Sequence, residues 1–560
     1  MMRRSPPPRR PRYWTLGLVA PFLLAIASCE DSEPAVAPVV ESTPALIQTD
    51  LRADHGTIDD RWAAISQTEV PGFAGLWYDE GTGAIVVAAT ELESESAARD
   101  WVARTSASDD FRGAPVRFQL ASYDFMQLRT WKAAARELLR RSDVVYIDAD
   151  EVRNRLVLGV TLGAMTSEVR ARARELEIPD AGLELITTTP LDFSRGTAGG
   201  GEATAEAGSS TLEDEVRPTM AGLEIEAQDV GDDCTLGFNA TLAGESGVYF
   251  GTASHCSTDR FDDPDNGYWL QDANGHRVGR ESYDIEPFTG SASFGGQSYY
   301  CFSECRFSDA SLVAYDDSID AGDVDLGRVA ETTGEESNTI DGRRDVTKKR
   351  YHYTLKTGQT VQMMGNETGQ STGQITHTCM DTDLNGNSPV LFLCQFGGDY
   401  EGVGGDSGAP VYSLRPDGTA ALVGIHFAQT TDFGPAVSAF SSMDGIEADL
   451  NVTLDVCIPT GCYALPPVDV EIDGPTEVLE WSQCVYTANA TDGFPPYSYR
   501  WFIDGDSVTV GGAGDELEIE DVGEDDLLLE VRVTDDVNHV EWDDLLVDVS
   551  SSHASCGLSP

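Results

Sequence analysis

Positive charge is scarce in this 560-residue chain. Its 37 lysines and arginines face 95 aspartates and glutamates, for a formal net charge of −58 and a pI near 4.2. A surface of that sign repels phosphate backbones and anionic bilayers, which excludes nucleic acid or a membrane surface as a general electrostatic partner. It suits solubility, above all in salt, where screening shortens the reach of carboxylate repulsion. Histidine is scarce too, with eight copies, and none clusters with cysteine at zinc-site spacing. Nothing else in the sequence asks for a metal or a cofactor. The N-terminal apolar run, TLGLVAPFLLAIAS at 15–28, is too short to span a bilayer comfortably. Cysteine is absent from 55–188, the first stretch that reads as folded.

What is present begins with a targeting segment. The basic, proline-broken MMRRSPPPRRPRYW leads into the apolar run and ends at Ile26-Ala27-Ser28-Cys29. An aliphatic residue and two small ones before cysteine resemble the bacterial lipoprotein signal. That resemblance implies cleavage after 28 and a lipid on Cys29; the alternative is an ordinary signal peptide cut near Ala27 or Ser28. Either way the chain is expected to be exported, to the cell envelope or beyond it, with membrane contact only through a lipid at Cys29. Of 11 cysteines, setting Cys29 aside leaves ten, falling in local pairs, an even number that reads as a disulfide framework in an exported chain.

At 560 residues and 41% hydrophobic, the chain has material for several packed cores. Residues 29–54 are proline-rich and polar and read as a tether. Residues 55–188 read as an α+β region. GLWYDEGTGAIVVAATE (75–91) has hairpin alternation around a turn, and DFMQLRTWKAAARELLRR (124–141) has helical spacing. VVYIDADEVRNRLVLGV (144–160) predicts two strands, and MTSEVRARARELEI (165–178) a second helix. Residues 189–216 are rich in Gly, Ala, Ser, Thr and Glu and predict a flexible, cleavable linker. From 217 to 462 short β-type runs recur with turns every ten or so residues, an all-β domain. Residues 463–560 carry strands spaced like a β-sandwich, with Arg500 and Arg532 among many carboxylates.

The candidate chemistry centres on VGGDSGAPVY (403–412), where Ser407 stands among glycines before an apolar run. A serine hydroxyl is a weak nucleophile at neutral pH and needs a base to take its proton. His255, in GTASHCS after the strand-like GVYFGTA, is the candidate base. The base needs a shielded carboxylate to fix its tautomer. Asp309, in CRFSDASLVAY at the head of an apolar run, fits.

TASHC, SDASLV and GDSGAPV, in this order and about 50 and about 100 positions apart, resemble the three catalytic boxes of trypsin-like serine proteases with the chymotrypsin fold. The resemblance covers about 218–455 and is nearest the secreted bacterial branch of streptogrisins and α-lytic protease. It implies a double β-barrel and a polypeptide substrate. It implies His255, Asp309 and Ser407 as the triad, and the amides of Gly405 and Ser407 as an oxyanion hole, each worth about 3 kcal/mol of barrier. Ala409 replaces the second glycine of the family's GDSGG. It is also consistent with pairings Cys234–Cys256, Cys301–Cys305, Cys379–Cys394 and Cys457–Cys462. Cys484 and Cys556 would close the C-terminal module, which resembles immunoglobulin-like or PKD-type modules. That module is expected to act as a spacer or to bind an unknown surface or polymer.

One departure matters most. No family-type chain start follows a basic cleavage site, and RPTMAGLEI (217–225) is only a loose echo. In the trypsin branch the freed amine pairs with the aspartate before the nucleophile, here Asp406; otherwise an internal arginine must serve. FAGLWYDE and VRNRLVLGV resemble prosegments of the bacterial branch, which assist folding and then inhibit until removed, so cleavage within 189–221 is expected.

Specificity stays open among three readings. Glu401, six residues before Ser407, stands where the trypsin branch places its pocket-base acid and implies a basic P1 residue. LVGIHFA (422–428) resembles a stretch of glutamyl endopeptidases in which the histidine, here His426, binds an acidic P1 side chain. If His426 is a wall residue and Glu401 faces solvent, the pocket is small or apolar. DTDLNGN (381–387) imitates the start of a calcium loop, but Phe392 stands at the twelfth position where glutamate is required. The other function classes to weigh are a catalytically idle protease-fold binding protein and an esterase on the same triad.

Overall fold

The structure, a computed structural model, describes residues 56–105, 114–193, 210–457 and 469–550. Within these, 228–232, 243–244, 246, 258–268, 273–276, 295–296, 317–318, 320, 384–389, 431–436 and short segments beyond 479 are excepted. The targeting segment, Cys29 and the tether lie outside the described residues. Among those described, no helix is long and apolar enough to cross a membrane.

The first part, 56–193, is α+β as its periodicities predict. Helix Ile58–Thr68 starts at Thr57, whose hydroxyl and the Asp60 carboxylate cap each other's backbone amides. Its Trp62 packs edge-on against Phe73 and Phe125. Phe125 opens helix Phe125–Ala135, whose Leu128, Trp131 and Ala135 face the same core. Strands Phe73–Asp79 and Ala84–Ala89 form the expected hairpin, and Val144–Asp150 pairs with Arg155–Thr161. Helix Glu95–Thr105 and the parallel strand Val116–Leu120 are not marked by the sequence pattern.

This part shares a sheet with residues 369–383. Val144–Asp150 adds to the end of the long strand Gly369–Asp383, with Ile147 opposite Asp381 and Tyr146 opposite Thr382. Buried charges cross the same junction. Arg136 lies 2.8 Å and Lys132 Nζ 3.8 Å from Asp381 across it, while Lys132 Nζ also lies 2.7 Å from Asp59 on its own side. Each carboxylate there has a cation within reach, as burial demands.

Residues 210–457 form two main sheets. The first is antiparallel, in the order Asp233–Thr235, Glu224–Ala227, Trp269–Asp272, Arg277–Tyr283, Ser311–Tyr315, Val248–Thr252, Phe238–Leu242, Leu454–Asp455. In the second, six antiparallel strands close on themselves: Gly369–Asp383, Val390–Gly398, Ser438–Ser442, Ala420–Thr430, Pro410–Leu414, Thr360–Gly365 and back to the first. Val361, Met363, Ile375, Phe396, Val411, Val423 and Phe440 fill that ring. The inward alternation of apolar residues along each strand is the physical cause.

Two sheets of three and five strands share the core of 469–550 around Trp501, Tyr486 and Leu529, a β-sandwich as expected. Disulfides join Cys234–Cys256, Cys301–Cys305 and Cys379–Cys394. Cys457 and Cys484 are also disulfide-bonded, while Cys462 and Cys556, their expected partners, lie outside the described residues.

One expectation needs correction. The stretch 189–216 is not linker throughout. Leu191–Phe193 is a strand, antiparallel to Ala428–Thr430, because Leu191 and Phe193 both have apolar surface to cover and that edge was open.

Candidate functional site

The site is assembled where the two sheets meet. Strands Val248–Thr252 and Ser311–Tyr315 pair so that Thr252 faces Ser311. Three residues past Thr252 and two before Ser311, the chain presents His255 and Asp309 at the same end of that pair. His255 sits in a one-turn 3-10 segment, Ser254–Cys256, pinned by Cys234–Cys256. Ser407 comes from the second sheet, in the loop before Pro410–Leu414, and the Thr235 amide donates to its carbonyl at 2.7 Å.

The three side chains meet within hydrogen-bonding reach. His255 Nδ1 lies 2.5 Å from Asp309 Oδ2, and His255 Nε2 lies 2.7 Å from Ser407 Oγ. The His255 backbone N–H donates to the other carboxylate oxygen at 3.2 Å. With its Nδ1 proton directed to a carboxylate, the imidazole presents a lone pair at Nε2 to the serine hydroxyl. All three residues are fully buried.

The carboxylate is held by partners that sequence patterns do not expose. The Asp309 amide donates to Ser441 Oγ, which donates to Gln395 Oε1. Asp449 accepts from the amides of Phe307 and Ser308, fixing the turn into Asp309. Beneath the base, Ser254 Oγ donates to Asp284, and Arg306 bridges Asp284 at 2.7 Å and the Ala310 carbonyl at 2.9 Å. Arg306 and Asp284 are a buried ion pair. The nearest local hint was FSS at 440–442, unremarkable in itself.

The loop carrying Ser407 turns at Gly405, φ 102°, a region closed to most side chains. Asp406 is fully buried and ends in the hairpin tip 365–369. It accepts from the amides of Glu367 and Thr368, each at 3.1 Å, from the Val403 amide at 2.8 Å and from the Thr368 hydroxyl at 2.5 Å. Neither an amine nor the arginine expected from the family pattern is its partner among the described residues. Burial raises its pKa, and these four donors oppose the rise.

His426 and Glu401 part company. Glu401 is exposed, so its carboxylate is solvated instead of sitting at a pocket floor. His426 is fully buried, with Nδ1 3.1 Å from the Tyr400 hydroxyl. Burial, with a smaller contribution from His255, lowers its pKa to about 3, and burial raises that of Tyr400. The Tyr400 hydroxyl and Nδ1 of the neutral imidazole share this hydrogen bond. His426 Nε2 and Gln429 Oε1 both border the space over Gly402, 3.1 Å and 2.9 Å from where a side chain there would begin.

An aromatic ring packs on the candidate base. The Phe193 ring lies 4.1 Å from the His255 ring, centroid to centroid, on the strand laid along Ala428–Thr430. Residues 381–383, start of the calcium-like motif, are the end of a strand, and 384–389 lie outside the described residues.

No family description and no curated protein matches the sequence. Among solved structures, the secreted serine protease VesC from Vibrio cholerae aligns at 12% identity over 61% of this chain and 70% of its own, with a TM-score of 0.23. The extracellular domain of a hybrid two-component system from B. thetaiotaomicron aligns at 8% identity over 56% and 55%, with a TM-score of 0.16. Likeness that low leaves the chain's own geometry as the ground for its function.

Proposed function

We propose that this chain is an exported serine endopeptidase with a chymotrypsin-type double barrel, made as a proenzyme. The observation that carries the reading is the relay Asp309–His255–Ser407, with contacts of 2.5 Å and 2.7 Å. Ser407 Oγ attacks the scissile carbonyl carbon while His255 Nε2 takes its proton. The C–N bond then breaks as His255 returns that proton to the leaving amine, and an acyl-enzyme remains on Ser407. Water repeats the sequence to release the acid. The amides of Gly405 and Ser407 receive the oxyanion, and Asp309 stabilises the imidazolium.

The proenzyme reading rests on the strand Leu191–Phe193. It pairs along the edge Ala428–Thr430 and sets Phe193 against His255, so a substrate's extended chain has no room. Cutting between 194 and 209 would free this strand to leave. Disulfides in the chain agree with an oxidising, extracytoplasmic compartment.

For specificity, the buried His426 imidazole beside Gly402 supports the acidic alternative for P1. The exposed Glu401 gives a basic P1 no buried counter-charge.

A fluorophosphonate probe tests the central reading. The cut chain should label at Ser407, the uncut chain should label slowly, and Ser407→Ala should not label. Absence of labelling in the cut chain sinks the enzyme in favour of an idle binding module. Cleavage-site profiling on a peptide library then separates endopeptidase from esterase and Glu from Arg or Lys at P1.

A further inference from the structure

Asp406 is a buried carboxylate whose partners are all donors without charge. None of the ion pairs among the described residues includes it. Its two oxygens end on the tip of the hairpin formed by Thr360–Gly365 and Gly369–Asp383, where Gly365 pairs with Gly369. That tip, Gly365-Asn366-Glu367-Thr368-Gly369, points two successive amides and one hydroxyl at the carboxylate. The fourth donor is the Val403 amide, from Asp406's own loop. A side chain at Gly365 would overlap Asp406 Oδ1, so the tip is shaped to admit the carboxylate. Successive backbone N–H groups in a turn make a natural anion receptor. Burial raises the pKa of Asp406, and donors of this kind oppose that rise.

The same tip holds the neighbouring residue. The Asn366 amide donates to Thr235 Oγ1 at 3.2 Å, and Thr235 Oγ1 lies 3.0 Å from the Gly405 carbonyl, to which it can donate. Both residues ahead of Ser407 are thus anchored to elements outside their loop. These anchors are in place while Leu191–Phe193 still occupies the cleft.

We propose that Thr368 is a positioning residue for the oxyanion loop, and that this clamp replaces the chain-start amine or internal cation otherwise needed to seat Asp406. Activation then consists of unblocking the cleft alone. The catalytic loop is built before the chain is cut, and the position of the new chain start does not matter. This rests on the endopeptidase reading.

The test uses the full-length chain with a foreign protease site placed after Gly199 or after Gly208, cut and assayed on one chromogenic peptide. The two cut forms, which start nine residues apart (208 − 199), should share one kcat. Thr368→Val should lower kcat by about 10- to 100-fold with KM within about twofold, the scale of a disturbed oxyanion donor. Thr368→Ser, which keeps the hydroxyl, should stay within about threefold. Activity in only one cut form, or a Thr368→Val enzyme with unchanged kcat, overturns the clamp while leaving the endopeptidase reading intact. If Thr368→Val does not fold, the two chain starts and Thr368→Ser still decide. A cut wild-type chain without Ser407-dependent turnover overturns both readings.

Discussion

Phe193 lies with its ring 4.1 Å from the imidazole of His255, tilted by 34°, at the end of a three-residue strand paired along Ala428–Thr430. The same strand buries Leu191 completely, so two apolar side chains two residues apart hold it down. Phe193→Ala removes one of them. The uncut variant should label with a fluorophosphonate at least about fivefold faster than the uncut wild type, since losing even a partly buried aromatic contact costs about 1 kcal/mol or more. Labelling rates that do not differ would show that the strand is not what guards the site.

The orienting carboxylate gives a second expectation. Asp309→Asn keeps the shape but cannot fix the imidazole tautomer, and kcat of the cut chain should fall about 10⁴-fold, the loss seen in the trypsin template. Steady-state hydrolysis measures it, and a loss under about tenfold would remove Asp309 from the relay.

Arg306 and Asp284 form a buried ion pair beneath Ser254, at 2.7 Å. Arg306→Leu leaves Asp284 without its cation and should cost about 3–5 kcal/mol in urea unfolding. The double variant Arg306→Leu with Asp284→Leu should recover part of that, because Asp284 is no longer stranded while Asp449, 3.6 Å from Arg306, still loses its cation.

Glu151 links pH to the grip of the first part on the second. Its carboxyl meets the Thr357 hydroxyl at 2.5 Å, and burial, then Asp150, raises its pKa to about 8 from 4.5. A raised carboxyl pKa means the folded state holds a proton that the unfolded state gives up. Its stabilising contribution is full below about pH 4.5 and is lost as pH rises to about 8. His377 acts in the opposite sense. Burial lowers its pKa to about 4, so its contribution is lost as pH falls below about 6.5. Glu151→Gln should therefore flatten the fall in melting temperature as pH rises to about 8, and steepen the loss below about pH 6.5, where His377 then acts unopposed. Equal slopes in both proteins would refute the assignment.

Much of the site was legible because its requirements are local. A nucleophile loop needs glycines beside its serine, and a base at a strand end needs little more than the strand. Hence GDSGAPV, TASHC and SDASLV could be read with no neighbours in view. The hairpins at 75–91 and 144–160 and the helices at 124–141 and 165–178 were legible by periodicity for the same reason, whereas helix Glu95–Thr105 was not. Glu401 shows the limit, since a place six residues before Ser407 does not say whether a side chain turns inward, and this one turns to solvent. Leu191 and Phe193 stayed hidden in a stretch of linker composition, because what makes them a strand is an open edge more than 200 positions away.

The order of covalent neighbours alone marked the candidate residues of the site, where strands alternate and turn, and that cysteines pair locally. Those properties follow from chemistry within a few residues. Tertiary structure decided what each group faces: Ser441 beneath Asp309 across 132 positions, Thr368 beneath Asp406 across 38, and a strand from the first part that sets Phe193 against His255. Hydrogen bonds and burial depend on distance in space, and only the closed sheets set that distance.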